Sequence, residues 1–194
     1  MICDKCGFSG DFIEESFGQY IITYCPECHY TITSYCKHED SGVVKYSIGS
    51  SFRVQMYCLK CHKLHGSALK QAQYNLSDLK EIPKEKHDKY HEERGNKYSS
   101  RLRELSDLQR EWNKKEWLDE HNSYLRSEQW RDKREQALIR DNYLCQACLC
   151  ARATEVHHLS YAHWRNEPLF ELVSICNDCH KLITKLDNAK NHPS

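Results

Sequence analysis

Two Cys-x2-Cys pairs, Cys145/Cys148 and Cys176/Cys179, bracket the adjacent histidines His157 and His158, and a third histidine, His180, directly follows the last cysteine. Four thiolates in two pairs can hold a tetrahedral zinc, and an ion tied to both ends stabilises a segment with few apolar residues. Three histidines are then left for other work. An imidazole titrates near neutral pH and ligates divalent metals, so it can take a proton from water or hold an ion. The bland alternative is that one of the neighbouring pair packs in a core or supports the zinc site. Side chains of adjacent residues on a regular strand point to opposite faces, so His157 and His158 can serve one site only where the strand ends or is distorted.

The elements that must position these residues form a short series. The run from Thr154 to Leu159 reads as a short strand, and Asn166, Glu167 and Pro168 mark a polar loop. Leu169 to Ile175 reads as a second strand, and a helix is expected from Cys176, giving a β-β-α unit. Upstream, a helix is expected through Trp130, Ala137 and Leu138, which would face a core. Arg126, Arg131, Arg134 and Arg140 make it locally basic, either as phosphate contacts on DNA or as an ordinary solvated surface. Cys150 is an extra thiol beside the first pair.

The amino-terminal part repeats the metal-ligand theme. Cys3/Cys6 and Cys25/Cys28 bracket the β-rich Tyr20 to Tyr24, the pattern of a four-cysteine zinc ribbon. Cys36-x-His38 and Cys58/Cys61 follow, separated by two strand-like runs, Val43 to Ile48 and Phe52 to Tyr57, with a turn at Gly49-Ser50-Ser51. They predict a hairpin carrying a second site, with His62 and His65 competing with His38 for the fourth position. Three of the pairs also fit the haem-attachment pattern Cys-x-x-Cys-His. Each of those pairs has a partner pair, and covalent haem normally requires export, so zinc is the expected cofactor.

Composition sets the outer bounds. The chain has 194 residues, twelve of them cysteine, and 28 basic against 28 acidic side chains. Its mean hydropathy of -0.83 argues against one large core. No long apolar run and no signal-like start are present, so no membrane span and a cytoplasmic location are expected. From Leu69 to His121 the chain is dense in charge, with Pro83 and Gly95 as the main breaks. The part from Asn75 to Tyr98 reads as a flexible or partly helical linker. Leu102, Leu105, Leu108, Trp112 and Leu118 mark a narrow apolar stripe of a helix that packs on its own domain or forms a homodimer seam. The expected architecture is α+β: tandem zinc ribbons over 1–68, a charged helical linker over 69–122, and a carboxy-terminal domain over 123–194.

The last seventy or so residues resemble the HNH endonuclease family, the ββα-metal fold. The resemblance rests on the two cysteine pairs, His157-His158, His180, and the flanking Trp130-Arg131-x2-Arg134, Tyr161, Glu167 and Leu172. It implies a metal-dependent hydrolase of phosphodiester bonds in double-stranded DNA, of restriction or phage type, leaving 5′-phosphate and 3′-hydroxyl ends. It further implies His158 as general base, with His157 and His180 holding one catalytic Mg²⁺, Mn²⁺ or other divalent ion. The family's central Asn is replaced here by Glu171, with Asn166 nearby, and either residue would brace the loop between the strands. The alternative is a non-catalytic zinc-ribbon module that binds DNA or protein and carries an inactive HNH unit.

Overall fold

The computed structural model describes the backbone of residues 1–191 and side chains through residue 186. The architecture is mixed α and β, in two compact units that divide between Lys115 and Glu116. In the first unit, β1 (Ile13–Phe17), β2 (Tyr20–Tyr24) and β3 (Thr31–Tyr35) form an antiparallel sheet in that order. A four-stranded sheet follows, built from β4 (Ser41–Ile48), β5 (Ser51–Cys58), β6 (Leu64–Leu69) and β7 (Glu81–Pro83) in the order β6-β5-β4-β7. The β4–β5 hairpin turns at Gly49, whose φ of 57° is the left-handed conformation that glycine adopts without a Cβ penalty. β7 pairs with β4 in parallel.

The helix expected in the charged stretch is longer than its apolar stripe and begins at Lys84. It is one helix, α1 (Lys84–Leu125), 42 residues long. Gly95 does not break it, because a glycine inside a helix costs only about 1 kcal/mol relative to alanine, and tertiary contacts on both sides of it outweigh that cost. Tyr98, Leu102 and Leu105 recur at helical spacing and pack on Phe17, Ile22 and Tyr24 of the first sheet. Trp112 continues the stripe against the cysteine cluster at Cys3, Cys25 and Cys28, together with Phe8 and Phe12. Tyr98 also stacks on Tyr20, with ring centroids 4.5 Å apart. The stripe as far as Trp112 is thus covered by the ribbon that precedes it in sequence.

One ion pair locks this packing. The Arg101 guanidinium donates from Nε and Nη2 to Glu15 at 2.8–3.2 Å and from Nη2 to the Tyr24 hydroxyl at 2.8 Å. The Arg101 hydrogen bonds hold the Glu15 carboxyl below its ordinary range, against the opposing effect of burial.

The second unit contains the end of α1, then α2 (Glu128–Arg140), a hairpin of β8 (Glu155–His158) and β9 (Leu172–Ile175), and α3 (Asn177–Asn191). Arg126 and Ser127 separate α1 from α2, and the Ser127 hydroxyl caps α2 by accepting the Trp130 N–H at 3.1 Å. The expected second strand begins three residues later than its apolar run, because Leu169–Glu171 forms a 3-10 turn first. Tyr124, Trp130, Ala137, Leu138, Ala153, Val156 and Leu172 form the core.

Leu105 is 1% exposed and joins the charged helix to the first sheet. Leu105→Ala is expected to destabilise the amino-terminal unit by about 3 kcal/mol, from lost transfer energy plus a cavity. Urea unfolding of the metal-loaded chain measures it, and a loss below about 1 kcal/mol would mean that α1 does not depend on this contact.

Candidate metal centres and the two histidine faces

The cysteine pairs gather into three four-ligand clusters: Cys3, Cys6, Cys25 and Cys28; Cys36, His38, Cys58 and Cys61; and Cys145, Cys148, Cys176 and Cys179. Within each, all ligand atoms lie within 4.8 Å of one another. Zinc–sulfur bonds of about 2.3 Å in a tetrahedron require sulfur atoms about 3.8 Å apart. The Sγ separations are 3.6 Å for Cys3–Cys28, 3.7 Å for Cys6–Cys25 and 3.8 Å for Cys36–Cys58. Donor type and spacing therefore both suit zinc. His38 takes the fourth place of the second cluster, with Nδ1 at 3.2 Å from the Cys61 sulfur. Its competitors are engaged elsewhere, His65 with the Ser41 hydroxyl and His62 with the Tyr57 hydroxyl. The thiols of the three haem-like runs each share a cluster with other ligands.

The turn that presents each pair has a common form. Gly7, His29, His62 and Leu149 each follow a second cysteine and adopt φ of 74°, 58°, 64° and 56°. Each donates its N–H to the carbonyl of the first cysteine at 2.9–3.0 Å. The left-handed residue closes the turn and points backbone N–H groups at the sulfur atoms. Burial opposes ionisation of Cys145, but the N–H groups of Cys148 and Cys176 outweigh it and lower its pKa to about 6. Burial of Cys58 is likewise outweighed, first by the Cys61 N–H and then by His38. In the fifth pair His180 makes the same bond to Cys176, but as part of the first turn of α3. Cys150 is exposed and lies outside the third cluster.

The histidines divide between two sides of the hairpin. β8 is regular to its end, with His157 opposite Val173 and His158 opposite Leu172. His157 meets His180, ring centroids 5.4 Å apart and nearly perpendicular. His158 points into the domain and is 7% exposed. Its ring lies between Trp130, at 4.7 Å, and Tyr161, at 4.9 Å, both nearly parallel to it. Strand alternation thus keeps His158 from the face that His157 and His180 share. Among the described residues, His157 and His180 belong to no group of three or more metal-ligating side chains.

The surroundings of His158 explain its burial. Its Nε2 faces Glu167 Oε1 at 3.3 Å, and Glu167 is fully buried. Glu167 also accepts from the Tyr124 hydroxyl at 2.6 Å and the Arg165 N–H at 3.0 Å. These donors lower the Glu167 pKa despite burial. Burial lowers the His158 pKa below its ordinary 6.5, and Glu167 opposes this only in part. A neutral imidazole donating Nε2–H to a carboxylate results.

The other expected site residues have plain positions. Glu171 is buried, its Oε1 2.7 Å from His163 Nδ1 and its carbonyl accepting the Leu159 N–H at 2.8 Å, so it ties the two ends of the intervening loop. The Asn166 N–H donates to the His163 carbonyl. Arg140 is held by Asp141 and donates to the carbonyls of Leu169 and Leu172, while Arg134 donates to the Thr154 carbonyl. Arg126 and Arg131 are exposed. Sequence reasoning passed over Lys181 and Lys185, which line one shallow depression with His180 and Thr184 on α3. The i,i+4 spacing of the two lysines after a candidate ligand was the available signal.

No family model matches this sequence, and no match was found among the curated proteins or the solved structures. Among the described residues, no helix is long and apolar enough to cross a membrane.

Two outcomes test this geometry. Leu149, 64% exposed in a left-handed conformation, gains nothing visible from its side chain; Leu149→Gly is expected to stabilise the carboxy-terminal unit by about 1 kcal/mol in thermal unfolding. His158 is expected to remain neutral with its proton on Nε2 at pH 6.5, read from imidazole nitrogen shifts. Because its folded pKa is lowered, the unfolded chain binds the extra proton, and stability should fall as pH drops from about 6.5 toward the folded value. A half-protonated His158 at pH 6.5 would contradict the burial argument.

Proposed function

We propose that this chain is a zinc-organised nucleic-acid-binding protein in which three structural zinc ions hold the two ribbons and the carboxy-terminal ββα unit, and the ββα unit binds without cutting. The observation that carries the reading is the burial of His158 between Trp130 and Tyr161, with Nε2 turned to Glu167. A general base must reach the water it deprotonates. His158 instead supplies packing and a hydrogen bond inside the domain. Nucleic acid as the partner is supported by Lys181 and Lys185 on one side of α3, where ammonium groups would meet phosphates.

A second reading, a metal-dependent HNH-type endonuclease acting on double-stranded DNA, is favoured by the contact of His157 with His180. In that reading the two imidazoles would hold a Mg²⁺ or Mn²⁺ ion, which supplies charge stabilisation at the phosphate. Glu167 would orient His158 through Nε2, leaving Nδ1 as the nitrogen available to water.

Supercoiled plasmid incubated with the full chain and Mg²⁺ or Mn²⁺ separates the readings. The binding reading expects salt-sensitive retardation of DNA, intact plasmid in both metals, and three bound zinc ions per chain, one for each cluster. Nicked or linear product that disappears in His157→Ala, at unchanged zinc content, would establish the endonuclease instead. His157→Ala is the better probe than His158→Ala, which would leave the buried Glu167 without one of its partners. Absence of retardation at low salt would defeat both.

A further inference from the structure

A basic hollow lies in the amino-terminal unit, where the β1–β2 turn, the Cys58–Cys61 knuckle and α1 meet. It has a volume of ≈ 290 Å³, and Ser16, Gly18, Cys36, Lys60, Tyr90 and Arg94 are among its lining residues. Gly18, at φ 62°, brings the turn against the Arg94 stem: a Cβ there would lie 3.4 Å from Arg94 Cβ and 3.8 Å from the Cys61 carbonyl oxygen. The Arg94 guanidinium lies 5.3 Å from the centroid of the Tyr90 ring, a cation–π contact. Packing therefore holds this cation in place before any ligand arrives.

Its charge is unmatched. Among the described residues neither Arg94 nor Lys60 has a carboxylate in ion-pair reach, and no acidic side chain lines the hollow. Arg101, two turns further along the same helix, is by contrast paired with both Glu15 and Glu104. Arg94 is half-buried, so it gives up part of its hydration without gaining a counter-charge, which an anion would supply. The adjoining depression is lined by Glu14, Glu39 and Asp40 beside Lys37. The basic ground is thus enough for one phosphate and not for a run of them. The competing account is that the two cations only balance the second cluster, whose Cys36 also lines the hollow. Among the described residues, however, the cluster sulfur atoms take their contacts from the Cys61 N–H, from His38 and from one another, not from Arg94 or Lys60.

We propose that this hollow binds one phosphate group, with the Arg94 guanidinium and the Lys60 ammonium on its oxygens and the exposed Ser16 hydroxyl donating a further hydrogen bond. A guanidinium offers parallel N–H donors that match two oxygens of a tetrahedral anion, and an ammonium adds a point charge. A nucleic-acid backbone and a free phosphate monoester both present this group. In the first case the site extends the nucleic-acid-binding reading to the amino-terminal unit, and in the second it stands without that reading.

Titration of the full, zinc-loaded chain with inorganic phosphate, followed through the arginine Nε–Hε resonances, tests the site directly. The Arg94 resonance is expected to shift with saturation below about 50 mM phosphate, and acetate at matched ionic strength to move it less than about one third as far. Lys60→Gln, at an exposed position, should weaken phosphate severalfold. Retardation of duplex DNA at increasing salt then locates the source of the phosphate. For a backbone phosphate, replacing both residues (Lys60→Gln with Arg94→Gln) reduces the steepness of log K against log[salt] by about 1, the share of one contact. An unchanged steepness together with a saturating phosphate shift assigns the site to a free phosphate monoester. DNA that the parent chain fails to retard defeats the nucleic-acid reading, while the phosphate titration still decides this one. Absence of a saturating Arg94 shift, or an equal shift with acetate, overturns the proposal. Loss of bound zinc in Arg94→Gln, with no phosphate response in the parent chain, assigns the cations to the cluster instead.

Discussion

Three or four thiolates brought within a few ångströms of one another repel strongly unless a cation lies among them, and much of this structure depends on satisfying that constraint in three clusters, two of four cysteines and one of three cysteines with His38. The knuckle turns are built for it. Four of the five Cys-x2-Cys turns close through a left-handed residue that follows the second cysteine, and backbone N–H groups face the sulfur atoms of Cys3, Cys58 and Cys145. Small sheets with few apolar residues would not hold this shape unaided. In the amino-terminal unit the clusters also act as core: Cys3, Cys25 and Cys28 are buried under Phe8, Phe12 and Trp112, where a larger domain would place leucine or valine. A metal bound by Cys3, Cys6, Cys25 and Cys28 would therefore couple to hydrophobic packing, since the same cysteines lie under the surface that Trp112 of α1 covers.

α1 shows how a strongly charged segment becomes ordered. Its intrinsic amphipathicity is slight, and a helix with so narrow a stripe gains little by itself. Tyr98, Leu102 and Leu105 gain a partner because the first sheet offers Phe17, Ile22 and Tyr24 on one face. The Arg101–Glu15–Tyr24 contacts then fix the register, and they are partly shielded from water, where such a bidentate pair is worth more than a surface ion pair.

In the carboxy-terminal unit a second constraint competes with chemistry. A regular two-stranded hairpin sends neighbouring side chains to opposite faces, and His157 and His158 obey it. One imidazole meets α3, and the other enters a buried site among aromatic rings where burial disfavours the charged form and a hydrogen-bond partner is needed. Glu167 meets that need, and Tyr124 and Arg165 in turn satisfy Glu167, so a single buried polar network links the end of α1, the loop and β8. Glu171 holds the other end of the loop through His163 and Leu159. This wiring ties both ends of the loop to the hairpin, with the two histidines on its opposite faces.

The sequence by itself determined the metal-ligand clusters, because Cys-x2-Cys is a local motif whose turn geometry is set within five residues. It also determined the β4–β5 hairpin and the β-β-α order, through alternation and turn residues. His38 was the expected fourth ligand of the second site with His62 and His65 as competitors, and the fold brings His38 into the cluster while engaging the other two elsewhere. The helix through Leu102 to Leu118 was legible from its apolar stripe, but its extension back to Lys84 was not, because charge density masked it and its few apolar residues required a sheet many residues away. The inward turn of His158 was open for a related reason. Strand alternation was legible as a warning, but which face was buried depended on Trp130, Tyr161 and Glu167 arriving from separate elements, and burial is a property of the assembled core that no local spacing records.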